Sequence, residues 1–370
     1  MVAPLQIGII QRTRKSPFFD ATIEWGVQGF TVYNHMLFPT FYESFEADYW
    51  KLINSVACWD VACERQVEIT GPDASKLAQL LTPRNLSKCR IGQGKYVPIV
   101  ADDGGMINDP ILLRLGENHY WLSLADSDVL LWARGVAYGK GFDVTIIEPD
   151  VSPLAIQGPN AENVTADLLG DWVRDIKYFW FREFELDGIP LVVARSGWSK
   201  QGGFELYLRD GQYGVELWNR VMEAGKPYDI GPGTPSTIER IESGLLSYGN
   251  DMHLENNPFE IGLGKYCDLK MEADFIGKAA LRRIKAEGIK QKMVGVVIDG
   301  PKKPGSANHW PLYHRDQCVG AVTSATHSPR LKQNIALAMV EIEHTETGTQ
   351  LTVESNLGRE TATVASIPFI

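Results

Sequence analysis

A carboxylate and a phenol on one predicted strand are the first candidates for chemistry in this sequence. Glu205 and Tyr207 lie two positions apart just after Gly202-Gly203, and alternation along a strand puts both side chains on the same face. The indole of Trp198 lies on the other side of the glycine turn. Two interpretations remain open at this point: an ordinary hairpin with an exposed Glu and Tyr, or a carboxylate, a phenol and an indole that face one ligand.

Asp109 is the second candidate, because it lies where an apolar strand is predicted. The turn Gly104-Gly105 leads into a mostly apolar run, and an Asp followed by Pro110 weakens the strand pattern, since Pro cannot donate a ladder hydrogen bond. Such departures from the local rules are expected at functional sites. An edge strand with a capping Asp accounts for the pattern equally well.

Four other polar residues carry weaker signals. Arg240 lies on a predicted helix, where a charged side chain usually faces solvent. His35 could act as a general base, although a lone His beside Asn and Met is more often structural. His309 and His314 flank a Trp-Pro loop at a spacing that no helical or hairpin metal site requires. We therefore predict no metal site.

Composition and motifs argue against several classes of protein. The chain has 370 residues and a formal charge of −10, from 36 Lys and Arg against 46 Asp and Glu, whereas nucleic-acid binding needs clustered positive charge. No apolar run approaches the roughly 18 residues of a membrane span. The sequence has no G-x-G-x-x-G after an early strand, no P-loop and no G-x-S-x-G, so NAD, FAD, kinase and α/β-hydrolase folds have no support.

The location predicted from the sequence is the cytoplasm. Residues 1–10 are followed by Arg12, Arg14 and Lys15, which reverses the order of charged and apolar residues in a signal peptide. The five Cys residues are an odd number at scattered spacings, without a C-x-x-C pair. This usage indicates neither a zinc site nor a disulfide framework.

Alternating strands and helices must position these residues. A strand at 65–70 leads through Gly71-Pro72 into a helix, and the same device recurs at Gly158-Pro159, which suggests two related half-structures. The later elements expected are helices at 235–247 and 273–287 and strands at 292–298, 318–324, 335–342, 350–353 and 360–365. The run of strands after Gly288 indicates a separate all-β C-terminal domain, with 301–306 as its most loop-like segment.

Taken together, these stretches resemble the folate-dependent T-protein (aminomethyltransferase) family. The matching motifs span residues 60–251 in the family's order, and a β-rich tail ends in Ile367-Pro368-Phe369. The motifs are Asp60-Val61, Val67-Glu68-Ile69-Thr70-Gly71-Pro72-Asp73-Ala74, Gly104-Gly105-x-x-x-Asp109, Gly202-Gly203-Phe204-Glu205 and Arg240-x-Glu242-x-Gly244-Leu245-x-x-Tyr248-Gly249-Asn250-Asp251. The resemblance therefore covers nearly the whole chain.

Within the family, the chain is most similar to the branch that demethylates a sulfonium compound, dimethylsulfoniopropionate. The turn Arg195-Ser196-Gly197-Trp198-Ser199-Lys200-Gln201-Gly202-Gly203 carries most of this similarity. A glycine-cleavage T-protein would have a Thr-Gly-Tyr-Thr-Gly-type turn there, and Asp-Asp in place of Asn108-Asp109.

The resemblance implies an α+β fold of three domains, arranged as a clover around a central folate channel. The first two domains are α+β and interleaved in sequence. Residues 1–51 plus 140–235 are expected to form the folate-binding domain 1, and residues 52–139 plus 236–288 to form domain 2. Residues 289–370 are expected to form a C-terminal β-barrel or jelly-roll domain.

The resemblance also implies an activity. The enzyme would transfer a methyl group from the sulfonium of dimethylsulfoniopropionate to N5 of tetrahydrofolate, giving 5-methyltetrahydrofolate and methylmercaptopropionate. It would need no metal, FAD or NAD, because a sulfonium methyl group is already activated and leaves behind a neutral thioether. The protein must supply in-line alignment and must recognise a cation. Aromatic faces can recognise the cation without a carboxylate that over-stabilises the bound donor.

The resemblance and the aromatic residues together suggest where the donor binds. The expected cage for the sulfonium consists of Trp198, Tyr207 and Phe18, with Trp180 or Phe19 as a further wall. The candidates to hold the carboxylate of the donor are Lys200, Arg195 and Tyr33.

Folate-binding roles are implied for a second group of residues. Glu205 would accept hydrogen bonds from the pterin N–H groups, and Tyr96 could cover the pterin. Asp109 corresponds to an aspartate near N5, where an electrostatic or orienting role suffices because no ammonia leaves. Arg240 would lie toward the pterin or its glutamate tail. The residues expected at the chemistry are thus Tyr207, Asp109 and Trp198, and those expected to hold folate are Glu205, Tyr96, Arg240 and Tyr33.

Three alternatives stay open. An aminomethyltransferase would require a lipoyl carrier protein and would form methylene rather than methyl folate. A demethylase of another onium donor, such as a betaine, would keep the cage and change the partner of the carboxylate. A non-catalytic folate-binding module would bind tetrahydrofolate and transfer nothing. For the favoured activity the expected partners are a sulfonium substrate and folate, without nucleic acid or membrane, and a homodimer is left open.

Overall fold

The computed structural model describes residues 10–303, 309–355 and 357–370. Its α-helices are α1 Phe19–Glu24, α2 Phe45–Asn54, α3 Ala74–Leu80, α4 Val129–Lys140, α5 Ala161–Leu169, α6 Gly214–Gly225, α7 Thr237–Glu242 and α8 Lys278–Glu287. Short 3-10 helices lie at Asp171–Asp175, Gly211–Tyr213, Lys226–Tyr228, Gly264–Tyr266 and Ile342–His344.

The β-strands fall into two groups along the chain. Before residue 240 they are β1 Gly29–Tyr33, β2 Met36–Phe41, β3 Val56–Asp60, β4 Gln66–Thr70, β5 Gln93–Tyr96, β6 Ile99–Val100, β7 Met106–Asn108, β8 Ile111–Gly116, β9 His119–Ser123, β10 Thr145–Ile147, β11 Ser152–Gln157, β12 Phe181–Leu186, β13 Ile189–Ala194, β14 Gly203–Leu208 and β15 Ile230–Gly233. After residue 290 they are β16 Gln291–Ile298, β17 Trp310–His314, β18 Gln317–Ser328, β19 Gln333–Glu341, β20 Gln350–Ser355 and β21 Gly358–Ala365.

Two sheets form the first part of the fold, and the chain alternates between them. A six-stranded sheet has the order β12-β13-β14-β11-β3-β15, and a five-stranded sheet has the order β10-β4-β9-β8-β5. The chain leaves the first sheet after β3 and returns to it at β11. This arrangement confirms the predicted interleaving of two α+β units.

Sheet membership indicates where the chain crosses between the two units. Strand β3 pairs with β11, and strand β10 pairs with β4. The boundaries expected at 51/52 and 139/140 would assign each of these strands to the other unit. Since backbone hydrogen bonds decide sheet membership, we propose that the crossings lie at 61–65 and 148–151.

Each sheet is covered by helices on an apolar face. Strands β3 and β11 are buried along their whole length, and α5 and α6 pack against this sheet. Helices α3 and α4 pack on the five-stranded sheet and enclose a second apolar core. Burial of these two faces supplies the main driving force for folding of the two units.

The two Gly-Pro turns are equivalent in structure as well as in sequence. Gly71 has φ +117° and Gly158 has φ +127°, a conformation that L side chains rarely adopt. A Cβ atom would lie 2.8 Å from the Asp143 carbonyl oxygen at Gly71, and 2.6 Å from the Ser55 carbonyl oxygen at Gly158. Glycine is therefore required at both turns, and α3 and α5 begin directly after them.

The C-terminal domain is a closed barrel with the strand order β16-β19-β18-β17-β20-β21. The prediction of an all-β domain is confirmed, but β17 was expected to be a loop because it contains Pro311. Pro311 is the second residue of the strand, and pairing with β20 begins only at Leu312, so its missing N–H interrupts no bond to that neighbour. Of the loop expected at 301–306, residues 304–306 lie outside the described residues.

Helix α7 connects the first two units to the barrel. It was expected to continue to residue 247, but Gly244 has φ +66°, which ends a helix in the manner of a C-terminal glycine. Helix α8 likewise starts later than expected, after Gly277 at φ +82°. The shortened α7 leaves residues 245–251 to form turns that face the barrel.

A buried carboxylate on α7 fastens this helix to the barrel. Glu242 is fully buried and accepts hydrogen bonds from Ser328 Oγ at 2.5 Å and from an Arg330 Nη atom at 2.5 Å. The Tyr49 hydroxyl, from α2, lies 3.1 Å from both carboxylate oxygens. Because the Glu242 carboxylate is paired and hydrogen-bonded, it can be buried where three units meet, while Arg330 reaches it from the exposed side.

Candidate active site

A cavity of about 1480 Å³ lies where the two sheets, α7 and the barrel meet. Its aromatic lining residues are Tyr33, Phe38, Phe45, Tyr49, Tyr96, Tyr178, Phe179, Trp198, Tyr248 and Tyr266. Its acidic lining residues are Glu46, Asp48, Glu64, Asp109, Asp126 and Glu205, and its basic ones are Lys200, Arg240, Lys265, Lys292, Lys302 and Lys303. Most residues expected at the site therefore face one space.

Glu205 lies on β14 and presents a buried carboxylate to the cavity. Its side chain is only 4% exposed, and Oε2 accepts hydrogen bonds from the Ser196 hydroxyl and, at 3.2 Å, from the Tyr207 hydroxyl. Burial raises the pKa of Glu205, while the two hydroxyl donors act in the opposite direction. The side chain is thus held in one orientation as a hydrogen-bond acceptor.

The turn before β14 is packed around Gln157. Gln157 Nε2 donates to the Ser196 carbonyl oxygen at 3.0 Å, and Ser199 Oγ donates to Gln157 Oε1 at 2.7 Å. A Cβ atom on Gly197 would lie 2.0 Å from Gln157 Nε2, and one on Gly203 would lie 2.2 Å from the Ile156 carbonyl oxygen. Neither position can therefore accept a side chain without displacing Gln157 or the backbone of β11.

Replacing Gly203 by alanine is expected to destabilise the fold by about 2–4 kcal/mol, because left-handed strain adds to a steric clash. Gly202→Ala is the matched control: Gly202 also has positive φ, +82°, but its Cβ would meet no atom within 4 Å. We expect this control to lose only about 1 kcal/mol. Urea denaturation of both variants checks the difference, and equal losses would contradict the packing argument.

Trp198 faces the cavity, as expected, and α7 holds its loop in place. Glu239 Oε1 accepts hydrogen bonds from the Lys200 backbone N at 3.0 Å and from Gln201 Nε2 at 3.1 Å. The Arg240 guanidinium carbon lies 6.0 Å from the centre of the Trp198 ring. Glu239 therefore fixes the loop that carries Trp198, and Arg240 makes a cation–π contact with its indole.

Arg240 lines the cavity but is committed to other contacts. One terminal nitrogen lies 2.8 Å from Asp251 Oδ2, and the other donates to Ser324 Oγ at 2.7 Å. The side chain is 5% exposed. These contacts make Arg240 a link between α7 and the barrel, and its expected approach to a pterin or a glutamate tail stays a prediction.

Asp109 and Tyr96 form a half-buried pair that lines the cavity. The Tyr96 hydroxyl donates to Asp109 Oδ2 at 2.7 Å, and the Tyr96 ring makes an edge contact with Tyr266 at 5.2 Å. Asp109 Oδ1 is buried and accepts no hydrogen bond from the described residues. Burial raises the pKa of Asp109 to about 7. An acceptor of this kind can exchange a proton near neutral pH.

Tyr33 closes the cavity on the side of the first hairpin. Its hydroxyl accepts a hydrogen bond from the Asp126 backbone N at 3.1 Å, and burial raises its pKa well above the ordinary range. Asn34 follows it in the hairpin turn and donates to the Cys63 carbonyl oxygen at 3.1 Å. His35 is largely exposed and does not line the cavity, so the structure gives no support for a catalytic His35.

Three expected walls of the cage do not line the cavity. Phe18 is completely buried in the apolar core of the six-stranded sheet unit, and the prediction that it faces a ligand is wrong. Tyr207 is also completely buried, in the core between the two sheets, 6.3 Å from the Trp121 ring, so its direct role in catalysis or substrate binding has no support. Trp180 packs against the same core as Phe18.

Two lesser candidates are also turned away from the cavity. Phe19 stacks on Phe30 at 5.2 Å. Arg195 pairs with Glu162 and donates to the carbonyl oxygens of Arg174 and Ile176. Of the three candidates for the donor's carboxylate, Lys200 and Tyr33 therefore remain.

Several lining residues were missed in the sequence. Tyr178 and Phe179, the neighbours of Trp180, face the cavity with ring centres 4.5 Å apart. In an extended segment, neighbouring side chains point to opposite faces. Phe179 has φ +61°, a strained left-handed conformation that brings its side chain to the same side as that of Tyr178. Tyr248 lies in the family motif after α7, and that motif was the signal available for it.

The cavity also contains more carboxyl groups than expected. Glu64 lines it together with Glu205 and Asp109, and Ser123 Oγ donates to Glu64 Oε2 at 3.4 Å. Burial raises the pKa of Glu64 well above its ordinary value, and the charges of Glu205 and Asp109 raise it further. Three carboxyl groups thus share the cavity with the aromatic faces, and the expectation that aromatic faces alone recognise the cation stays a prediction.

Comparison with known protein families matches almost the whole described chain. The GCVT N-terminal domain matches residues 18–271, and the glycine cleavage T-protein C-terminal barrel domain matches residues 291–370. The chain therefore belongs to the glycine cleavage T-protein family, and the family resemblance found in its motifs is confirmed.

Individual relatives agree with this assignment. The chain is 48% identical over 354 residues to the dimethylsulfoniopropionate demethylase DmdA of Ruegeria pomeroyi, covering 96% of each chain. It is 29% identical over 364 residues to an aminomethyltransferase of Bacillus cytotoxicus, covering 96% of this chain and 98% of the relative. The glycine cleavage system aminomethyltransferase T of Bartonella henselae has the same fold, with a TM-score of 0.87 at 21% identity over 96% and 98% of the two chains.

Within residues 10–303, 309–355 and 357–370, no helix combines the length and the apolar character that crossing a membrane requires. No group of three or more His, Cys, Asp or Glu side chains in these ranges is arranged to hold a metal ion.

Proposed function

We propose that this protein is a tetrahydrofolate-dependent demethylase that transfers a methyl group from the sulfonium of dimethylsulfoniopropionate to N5 of tetrahydrofolate. The products would be 5-methyltetrahydrofolate and methylmercaptopropionate. The observation that carries the proposal is a cavity that combines aromatic faces with buried carboxyl acceptors, in a chain 48% identical to a demethylase of this donor.

The residues present fit tetrahydrofolate. Glu205 is a fixed acceptor for the amino and ring N–H groups of a pterin, and Tyr96 offers an aromatic surface in the same cavity. The unpartnered Asp109 Oδ1 is a second acceptor in the same cavity. A volume of about 1480 Å³ exceeds the ~300–1,000 Å³ of an ordinary ligand pocket. The cavity can therefore hold a folate and a small donor together.

The chemistry requires a proton acceptor as well as alignment. When bound, tetrahydrofolate supplies a secondary amine at N5; as the N5–C bond forms, the S–C bond breaks, its electron pair stays on sulfur, and one proton leaves N5. Asp109 fits the role of acceptor, because one of its oxygens has no partner in the described residues and its pKa lies near neutrality. Tyr96 orients the other oxygen.

Cation recognition is assigned to the aromatic faces that line the cavity, with Trp198 foremost. Tyr178 and Phe179 replace Phe18 and Tyr207 as the further walls we propose. Each face that contacts a cation contributes about 0.5–2 kcal/mol. Lys200 and Tyr33 are the candidates that remain for the donor's carboxylate.

Replacing Trp198 by alanine is expected to raise KM for dimethylsulfoniopropionate about 3–30-fold, because one cation–π contact is lost. Affinity for tetrahydrofolate should stay within about twofold, and Trp198→Phe should restore part of the loss because it keeps an aromatic face. Steady-state kinetics and calorimetry measure the two effects. An alanine variant with unchanged KM and kcat would show that the cage lies elsewhere.

The proposed function as a whole is tested with purified protein, tetrahydrofolate and a panel of methyl donors. We expect mass spectrometry to detect 5-methyltetrahydrofolate with dimethylsulfoniopropionate and not with glycine betaine. Methylene folate formed only with an aminomethylated lipoyl carrier would indicate an aminomethyltransferase instead. Folate binding without product from any donor would indicate a non-catalytic module.

Two finer predictions belong to the same proposal. We propose a cytoplasmic location, and a homodimer stays an open prediction. Fractionation of the source cells and light scattering of the purified protein are the respective measurements.

A further inference from the structure

Glu64 lies in the segment 61–65 that crosses from the six-stranded to the five-stranded sheet. Its backbone N donates to the Val61 carbonyl oxygen at 2.9 Å, and the Arg65 backbone N donates to the Cys63 carbonyl oxygen at 2.9 Å. The Arg65 guanidinium is turned toward Glu148, with Arg65 Nε 3.0 Å from Glu148 Oε1. The crossover therefore points Glu64 at the cavity and directs the neighbouring positive charge away from it.

The groups around Glu64 are uncharged or acidic. They are Cys63 on its own segment, Ser123 on β9, Asp126 after β9, Asp109 after β7, Tyr33 on β1, and Glu205 and Tyr207 on β14. Among the described residues, no Lys, Arg or His forms an ion pair with Glu64, Asp109 or Glu205. This end of the cavity thus has an excess of carboxyl groups.

The three carboxyl groups differ in how fully they are engaged. Glu205 Oε2 has two hydroxyl donors, Ser196 and Tyr207, and Asp109 has the Tyr96 hydroxyl at 2.7 Å. Within the part of the chain that the structure describes, the Glu64 carboxyl group has one donor, Ser123 Oγ at 3.4 Å, near the limit of a hydrogen bond. Of the three, Glu64 is therefore the carboxyl group least satisfied by the protein itself.

A sulfonium ion suits such an acceptor. It carries a fixed positive charge and no N–H or O–H, so it pairs with a carboxylate by charge alone, and the attraction is strongest where water is excluded. The unpartnered Asp109 Oδ1 in the same cavity is a second, independent sign that a ligand completes this region. A neutral thioether product would lose the attraction and leave.

We propose that Glu64 is a specificity-determining residue for the methyl donor, supplying the counter-charge to the sulfonium and giving up its proton to solvent when the donor binds. This inference rests on the proposed function, because it assumes a sulfonium donor. The proton balance is simple: a carboxylic acid becomes a carboxylate, and one proton passes to the buffer. Burial and the two neighbouring carboxyl groups raise the pKa of Glu64 in the empty cavity and thereby favour its protonated form.

Calorimetry of the folate-free protein tests the proposal without turnover. Dimethylsulfoniopropionate and 4-methylpentanoate, an isostere that keeps the carboxylate and lacks the sulfonium charge, are titrated at pH 7 in two buffers of different ionisation enthalpy. We expect the wild type to bind the sulfonium at least about tenfold more tightly than the isostere, and to release a fraction of a proton only with the sulfonium. Glu64→Gln should lose the proton release and reduce the preference to within about threefold, whereas Glu64→Asp should keep part of both.

Controls separate a role toward the donor from a general defect. Glu117→Gln changes an exposed carboxylate of the same sheet unit and should behave as the wild type. Tetrahydrofolate binding by Glu64→Gln should stay within about threefold, which also shows that the variant is folded. Equal loss of folate and donor binding would overturn the assignment to the donor.

The remaining outcomes distinguish this inference from the proposed function. If the wild type binds dimethylsulfoniopropionate and Glu64→Gln keeps its preference and proton release, only the role of Glu64 is wrong. If the wild type binds the sulfonium without proton release, the inference also fails while the donor stands. If the wild type does not bind the sulfonium at all, the proposed donor is wrong and the inference falls with it.

Discussion

Replacing Asp109 by asparagine is expected to lower the rate of methyl transfer by a factor of about 10²–10⁴, the usual contribution of a positioned general base. The amide keeps the size of the side chain and can still accept the hydrogen bond from Tyr96, so the pair should stay in place. It cannot accept the proton from N5. Single-turnover formation of 5-methyltetrahydrofolate measures this step separately from product release.

The pH profile gives a second readout of the same variant. Asp109 must be ionised to accept a proton, and its pKa is about 7. The wild-type rate should therefore rise with pH through about 7 and level off above it. Asp109→Asn should lack this inflection, and Asp102→Asn, at an exposed carboxylate, should retain it. A variant with the wild-type rate and profile would exclude Asp109 as the base.

Stability should change in the opposite direction to activity. Because the pKa of Asp109 is about 7 in the fold, above its ordinary 3.8, the folded state holds the proton more tightly than the unfolded chain does. Ionisation of Asp109 therefore destabilises the folded state. This effect is absent below about pH 4, grows as the pH rises toward 7 and is constant above it. Asp109→Asn removes it, so the free energy of unfolding at pH 8 should increase by up to about 4 kcal/mol. Urea denaturation at pH 5 and pH 8 checks the sign.

Much of the candidate site could be predicted because its residues lie in short, ordered motifs. Trp198, Glu205, Asp109 and Tyr96 each lie beside a glycine turn or a strand end that the sequence marks. The structure brings all four to one cavity. Local patterns left two interpretations open, and the order of the motifs along the chain decided between them; the turns are recognisable because they have steric requirements that only glycine meets, as Gly203 shows.

Burial depth could not be predicted in the same way. Glu205 and Tyr207 do share a face of β14, but that face meets the cavity at Glu205 and the core between the sheets at Tyr207. The period of a strand says which side a residue is on and nothing about what covers that side. Phe18 was misplaced for the same reason, since an aromatic residue near the N-terminus suits a core as well as a cage.

Residues whose position depends on long-range packing could not be predicted from the sequence either. Glu64 reaches the cavity because the chain crosses between two sheets at 61–65, a topological fact with no local signature. Phe179 reaches it through a left-handed backbone conformation that is uncommon for a bulky residue. In both cases, long-range packing stabilises an arrangement that the local sequence does not specify.

Replacing Glu205 by glutamine is expected to weaken tetrahydrofolate binding about 10²–10³-fold. A carboxylate that accepts hydrogen bonds from two pterin N–H groups makes charge-assisted bonds of about 1.5–3 kcal/mol each. The hydroxyl groups of Ser196 and Tyr207 both donate to one oxygen of Glu205, so they would hold the amide with its oxygen toward them. The NH₂ group of the amide would then face the pterin N–H groups. Both sides would be hydrogen-bond donors, so neither pterin N–H group would have an acceptor.

The pH dependence of folate affinity distinguishes this role from a loss of packing. Burial raises the pKa of Glu205, and only the ionised form accepts from both pterin donors, so wild-type affinity should rise with pH as the group ionises. Glu205→Gln should bind tetrahydrofolate with the same low affinity across the pH range in which wild-type Glu205 ionises. Ser196→Ala, which removes one supporting hydroxyl and keeps the carboxylate, should lose far less and retain the pH dependence. Anaerobic calorimetry with tetrahydrofolate measures all three proteins, and wild-type affinity in Glu205→Gln would show that the pterin is held elsewhere in the cavity.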